Sequence, residues 1–145
     1  CVIVVGQDDV VGAWVSKEVG KLWYPGMGRA MGWLGENGEL VAGVTFTNFD
    51  GVNVWLDVAA SSKSRWLDRR GLWAIFHYCF EQLGVLRVTV AIPENNEKSI
   101  KLATGAGFKY ETRLEKAAPQ GCYMNIYRMF REDCRWLSRK DKQNG

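Results

Sequence analysis

The sequence predicts one α+β domain built on a mixed β-sheet, and three observations carry that expectation. A chain of 145 residues is long enough for one hydrophobic core and too short for two comfortable ones. Short β-branched runs alternate with stretches of helical periodicity, the pattern of strands interleaved with helices. Turn signals separate these runs, with no repeat, linker or low-complexity stretch before the polar tail. A single domain over 1–145 is therefore expected, with about seven strands and three to four helices.

Val2 to Val5 reads as a short buried strand, and Asp8 or Asp9 is placed to cap a helix running to about Gly20. Trp23 to Gly28 is a loop rich in helix breakers. The apolar stretch ending at Leu34 leads into Asn37-Gly38, a strong hairpin signal because both residues tolerate positive φ. Leu40 to Thr47 alternates as a strand, and Asn48 to Gly51 turns the chain into another, Val52 to Ala59. Leu72, Trp73, Ile75, Phe76, Cys79, Phe80 and Leu83 share one broad helical face, which Gly84 ends. His77 falls on the polar side of that helix and reads as a surface residue. Leu86 to Ile92 suits a strand buried on both faces. Asn95 or Asn96 caps a second short helix that Gly105 and Gly107 end, before strands Phe108 to Glu115 and Cys122 to Phe130.

Composition excludes several classes. No apolar run approaches the ~18 residues of a membrane-spanning helix, and Cys1 to Val5 is too short and uncharged for a signal peptide. The chain opens without Met, so the natural N-terminus is expected to be missing or processed. Four scattered cysteines without C-x-x-C spacing argue against zinc and against a disulfide framework, which fits a reducing cytoplasm. One histidine, His77, disfavours a Ser-His-Asp triad or a His-ligated metal. A net charge of +3 is too small for a typical nucleic-acid binder. Two basic clusters stand out, at Lys63, Arg65, Arg69 and Arg70 and at Arg135 to Lys142; each reads by itself as a solvated face.

The element order, together with the segment from Pro93 to Phe108, resembles the GNAT superfamily of N-acetyltransferases. The matching string is Asn96, Ser99, Gly107-Phe108 and Tyr127-Arg-Met129, preceded by Tyr78-Cys-Phe80, Leu83-Gly84 and Arg87. Within the superfamily it is most similar to the RimJ/RimL-like branch, which acetylates protein N-terminal amines, and to members found in phage genomes. The resemblance extends from about Val52 to Leu137 and thins before that. It implies a GNAT-like acyl-CoA N-acyltransferase fold, acetyl-CoA (coenzyme A) as acyl donor and an amine acceptor: a peptide, a protein N-terminus or a small amine. Neither nucleic acid nor a membrane is an expected partner, and a homodimer is compatible with the resemblance. The competing reading is an acetyl-CoA-binding or partner-binding module that kept the fold and lost efficient catalysis.

Site residues follow from the same resemblance. Asn96 alone reads as a helix cap; in the family the corresponding Asn holds the pantetheine arm, and the residue matching Ser99 lies near the thiol or phosphates. The family binds pyrophosphate with glycines at the start of the central helix, whose N–H groups and dipole attract anions. Counting back from Gly84 puts Trp66 and Asp68 at those glycine positions, although Arg69-Arg70-Gly71 looks like the motif locally. The helix is thus expected to begin near Trp66, with Lys63, Arg65 and Arg69 supplying cationic contacts in place of the glycines. Backbone N–H groups near Val58, Ala59 and Ala60 are the expected donors to the thioester carbonyl. The Tyr that many relatives use as acid falls at Ala103, which leaves Ser99 to support the thiolate. Asp57 is the candidate base; it shares a strand face with Asn53 and Trp55, and the alternative is an exposed strand carboxylate.

Overall fold

A computed structural model describes residues 1–61 and 65–137. Its elements are β1 (Val2–Val5), α1 (Asp8–Val19), β2 (Gly28–Leu34), β3 (Leu40–Thr47), β4 (Asn53–Ala60), α2 (Arg69–His77), β5 (Arg87–Pro93), α3 (Glu97–Ala106), β6 (Lys109–Leu114) and β7 (Met124–Phe130). All seven strands join one sheet in the order β1-β2-β3-β4-β5-β7-β6. Neighbours are antiparallel except β4 and β5, which run parallel with α2 as their crossover. The mixed α+β class and the element order expected above are those observed.

Partners in register share a sheet face, so the pairs Val44–Val58 and Phe46–Leu56 mark one side. That side carries the main core: Trp33, Val44, Phe46, Val54, Leu56, Val88 and Met129 pack with Ile75, Phe76 and Phe80 of the α2 segment. The opposite side is covered by α1 through Val11 and Val15, which pack on Ala30 and Ala59. Gly43 lets α1 lie close, since a Cβ there would come within 2.5 Å of the Val15 side chain.

Several boundaries move for physical reasons. The cap of α1 is Gln7, without a side-chain hydrogen bond. Asp8 and Asp9 serve tertiary contacts instead: Asp8 accepts from the Ala30 N–H at 2.9 Å, and Asp9 from the Trp23 indole N–H at 3.0 Å and the Gly26 N–H at 3.2 Å. β4 begins at Asn53 rather than Val52 because Asp50 closes the preceding turn, accepting from the N–H groups of Val52 and Asn53. The central helix begins at Arg69, three residues beyond the Trp66 expected from sequence counting. Asp68 is its N-cap: the backbone there is extended and its carboxylate accepts from the Gly71 N–H at 2.8 Å. The helix continues past His77 as a π-turn, Tyr78–Gln82, closed by Leu83 N–H donating to the Tyr78 carbonyl. Arg131 reaches into this turn, donating to the Phe80 carbonyl and pairing with Glu81. Gly84, at φ +72°, then ends it. His77 stacks on Trp73 with ring centroids 4.4 Å apart.

Candidate active site

The parallel pair β4 and β5 stays in register only from Asn53–Arg87 to Leu56–Val90. Beyond Leu56 the strands continue to Ala60 and Pro93 without pairing to each other, while their outer edges remain bonded to β3 and β7. The result is a V-shaped cleft at the carboxyl ends of two parallel strands, where open sheets place ligands. Its facing edges offer backbone groups that a third extended chain would satisfy.

The candidate residues gather around this edge because both strands end there. Asp57 is the first β4 residue past the last β4–β5 pair, on the α1 side of the sheet. Val58 points to the α2 side, Ala59 is buried against α1, and Ala60 is exposed. Arg65, Trp66 and Arg69 follow β4, whereas Asn96 and Ser99 follow β5. Lys63 lies outside the described residues. The side chain of Trp66 is buried, its ring edge-on to Trp33 at 4.7 Å, so only its backbone faces the loop. Arg65 and Arg69 are exposed. Asn96 caps α3, its side-chain oxygen accepting from the Ser99 N–H at 3.2 Å. That bond uses the oxygen and leaves the amide N–H groups as donors. Ala103, at the place of the absent tyrosine, is half-buried against the core.

Two features of the site lie outside the sequence expectations. The first is Lys21, whose ammonium lies 2.8 Å from the Asp57 carboxylate, joining residues that are remote in sequence. The second is the carboxylate of Asp68 at the N-terminus of α2, in the place where an anion would use the helix dipole. Composition reveals an aspartate there, but only the helix start makes it a cap.

The fit of acetyl-CoA therefore divides. The open strand edges suit the amides of a pantetheine arm, and the first turn of α3 adds a neutral amide donor. At α2 the Asp68 carboxylate already satisfies Gly71 N–H, and its charge opposes a pyrophosphate, while Arg65 and Arg69 favour one. The residues fit the group in the cleft, and at the helix two exposed cationic side chains stand against one carboxylate.

A second concavity, about 700 Å³, lies at the other end of β4 and is lined by Asp8, Arg29, Phe46, Thr47, Val54 and Tyr78. Burial raises the Tyr78 hydroxyl above its usual range, partly offset by Arg29. Its Asp8 and Arg29 are paired at 3.3 Å, and it lies away from the parting of β4 and β5. Among the described residues no group of three or more His, Cys, Asp or Glu is arranged to hold a metal ion. None of their helices is long and apolar enough to cross a membrane.

The seven-stranded mixed sheet, with its parallel β4 and β5 splayed at their carboxyl ends, is the fold of the GNAT acetyltransferases. The chain superposes on a ribosomal-protein-S5-alanine acetyltransferase from Vibrio fischeri with TM-score 0.64 and 16% identity, covering 74% of this chain and 63% of that one. A chimera of the spermidine N-acetyltransferase of Vibrio cholerae aligns with TM-score 0.73 and 11% identity over 94% of this chain and 99% of the chimera. Glutamine-substituted forms of the spermidine/spermine N-acetyltransferase from the same organism align at TM-score 0.73 and 10% identity, over 95% and 98% of the two chains. The chain thus spans less than two thirds of the S5-alanine enzyme and nearly all of both forms of the spermidine enzyme. Neither a protein-family model nor a curated protein sequence matches it.

Proposed function

We propose that this chain is an acetyl-CoA-dependent N-acetyltransferase that modifies a primary amine. The observation that carries the reading is the cleft between β4 and β5 with Asp57 at the point where the strands part. When bound, acetyl-CoA supplies an acetyl thioester as acyl donor; the remaining tasks fall to the chain. Asp57 accepts a proton from the acceptor nitrogen. Backbone N–H groups around Val58, Ala59 and Ala60 polarise the thioester carbonyl. The Ser99 hydroxyl donates a hydrogen bond to the departing sulfur, and the Asn96 amide holds the pantetheine arm. Arg65 and Arg69, with Lys63 and the backbone at Trp66, bind the phosphates. On this reading the acceptor is a protein N-terminus, as in the branch the motif string resembles, or a small polyamine, as the names of the structural neighbours suggest. The chain acts in the cytoplasm, as a homodimer or alone.

The alternative is a catalytically weak binding module. The Asp68 cap and Ala103 favour it, because one opposes the phosphates and the other removes the usual acid. Thermal unfolding with acetyl-CoA tests what the two share. At about 100 times its dissociation constant the ligand should stabilise the fold by ~2.7 kcal/mol; an unchanged transition at saturating ligand would reject the enzyme and the acetyl-CoA-binding module, leaving only a partner-binding one. Turnover with spermidine and with peptides bearing free α-amines then separates them.

A further inference from the structure

We propose that Lys21 is an internal acetyl acceptor, and that its acetylation uncovers Asp57 for free amines. The inference deepens the acetyltransferase reading and rests on it. The Lys21 ammonium sits 2.8 Å from Asp57 Oδ1, with the Asp57 side chain 18% exposed and that of Lys21 43% exposed. An alkylammonium on this carboxylate is the chemical picture of a bound primary-amine acceptor, and here the chain provides it. Among the described residues no other lysine is paired with a carboxylate.

The placement is built rather than incidental. Gly20 takes the left-handed conformation at φ +75°, and the Lys21 N–H donates to the Ser16 carbonyl at 2.8 Å, which fixes its backbone at the end of α1. Two residues later Trp23 is clipped down, its indole N–H donating to Asp9 at 3.0 Å. The Trp23 ring lies over Gly12, where a Cβ would come within 2.3 Å of it. The lysine is therefore held between two anchored points, and its stem reaches β4 from a fixed origin.

The chemistry balances with an acetyl thioester as the only co-reactant. The Lys21 ammonium gives up one proton through Asp57, and its nitrogen lone pair forms the new bond to the acetyl carbon. The carbon–sulfur bond breaks, and its electron pair leaves with the sulfur. The second nitrogen proton is lost as the amide forms; one of the two protons ends on the thiolate and the other in solvent. The product is a neutral amide with no charge to pair, so the Asp57 carboxylate is freed. Before that event every external amine must displace Lys21; afterwards none does.

The test is to incubate the purified chain with acetyl-CoA and read acetyl occupancy at each lysine by peptide mass spectrometry. Thermal unfolding of the same sample serves as an independent readout of ligand binding. Lys21 should be acetylated at least about tenfold more than Lys17, Lys98 or Lys101, which share the solution but not the positioning. Asp57→Asn should bring Lys21 down to their level. Lys21→Arg keeps the ion pair and the fold but should carry no acetyl group at that position, and Lys21→Gln, which imitates the product, should lower KM for free amines several-fold. If ligand raises the unfolding temperature while Lys21 labels no more than Lys17, the self-acceptor idea is overturned and the acetyltransferase reading stands. Equal labelling of Lys21 in Asp57→Asn also overturns it. No thermal shift and no labelling would remove both.

Discussion

Helices α2 and α3 both begin where a parallel strand ends, yet they meet the same cleft with opposite equipment. α2 is capped by the carboxylate of Asp68 and buries Gly71, Ile75 and Phe76, with Cys79 and Phe80 buried in the turn that continues it. α3 is capped by the neutral amide of Asn96 and has no fully buried residue; Ile100, Ala103 and Ala106 only lean against the core. The difference separates two tasks. A helix N-terminus is electropositive, and an aspartate cap neutralises that potential locally while an asparagine cap leaves it for a ligand. α2 is the scaffold, its dipole already met by Asp68, and α3 is the more lightly held of the two helices.

Packing is the largest expected contrast. Phe80→Ala should cost about 3–5 kcal/mol, because Phe80 is completely buried and leaves a cavity between helix and sheet. Ile100→Ala, on the half-exposed face of α3, should cost only about 1 kcal/mol. Equilibrium urea unfolding of the two variants checks the ranking; equal losses would mean that α3 is as deeply anchored as α2.

Exchanging the caps should produce the next largest effect. Asp68→Asn keeps a capping oxygen and removes the opposing charge, so acetyl-CoA affinity should rise about fivefold, equivalent to ~1 kcal/mol. Asn96→Asp should lower affinity by a similar factor. Titration calorimetry at low ionic strength reads both, and added salt should shrink them. If Asp68→Asn leaves affinity unchanged, the phosphates do not approach α2.

The smallest effect concerns the sheet edge that carries α3. Arg87 on β5 holds Glu111 on β6 through two hydrogen bonds, at 2.6 and 3.2 Å, and this holds the Glu111 carboxyl below its usual range. A depressed carboxyl contributes stability that is fully present above its unfolded-state value, about 4.3. That contribution disappears as pH falls through the lower folded-state value. The wild type should therefore lose a little stability on acidification that Glu111→Gln does not lose, with unfolding midpoints followed from pH 6 to pH 3. Because the Glu111 side chain is 38% exposed and solvent screens the pair, the difference should be slight.

Much of this architecture was legible in the chain. Gly38, Gly84 and Gly107 mark a hairpin and two helix ends, and each adopts positive φ. The spacing of Ile75, Phe76, Cys79 and Phe80 foretold the buried face of the central helix, and the β-branched run around Val88 and Val90 foretold its neighbouring strand. Asn96 was legible as a cap because a cap is a local device, with its partner Ser99 in the next turn. The start of α2 was less legible. Counting by family length favoured Trp66, but that indole is worth more in the core against Trp33 than on a helix end, and the next residue able to cap is Asp68. Asp8 and Asp9 looked like caps, yet donors arriving from β2 and the Trp23 loop claim them.

By itself, then, the sequence determined what depends on near neighbours: periodicity, turns, caps and the order of elements. These are short-range properties, governed by φ preferences and by which side chains reach backbone groups a few residues away. Only the tertiary structure decided where β4 and β5 part, that Asp57 stands at the parting, and that Lys21 meets it from the end of another helix. The physical reason is that strand divergence and ion pairing are set by how α1, α2 and α3 pack on the two faces of one sheet. No local propensity encodes the distance between residues 21 and 57; the fold does.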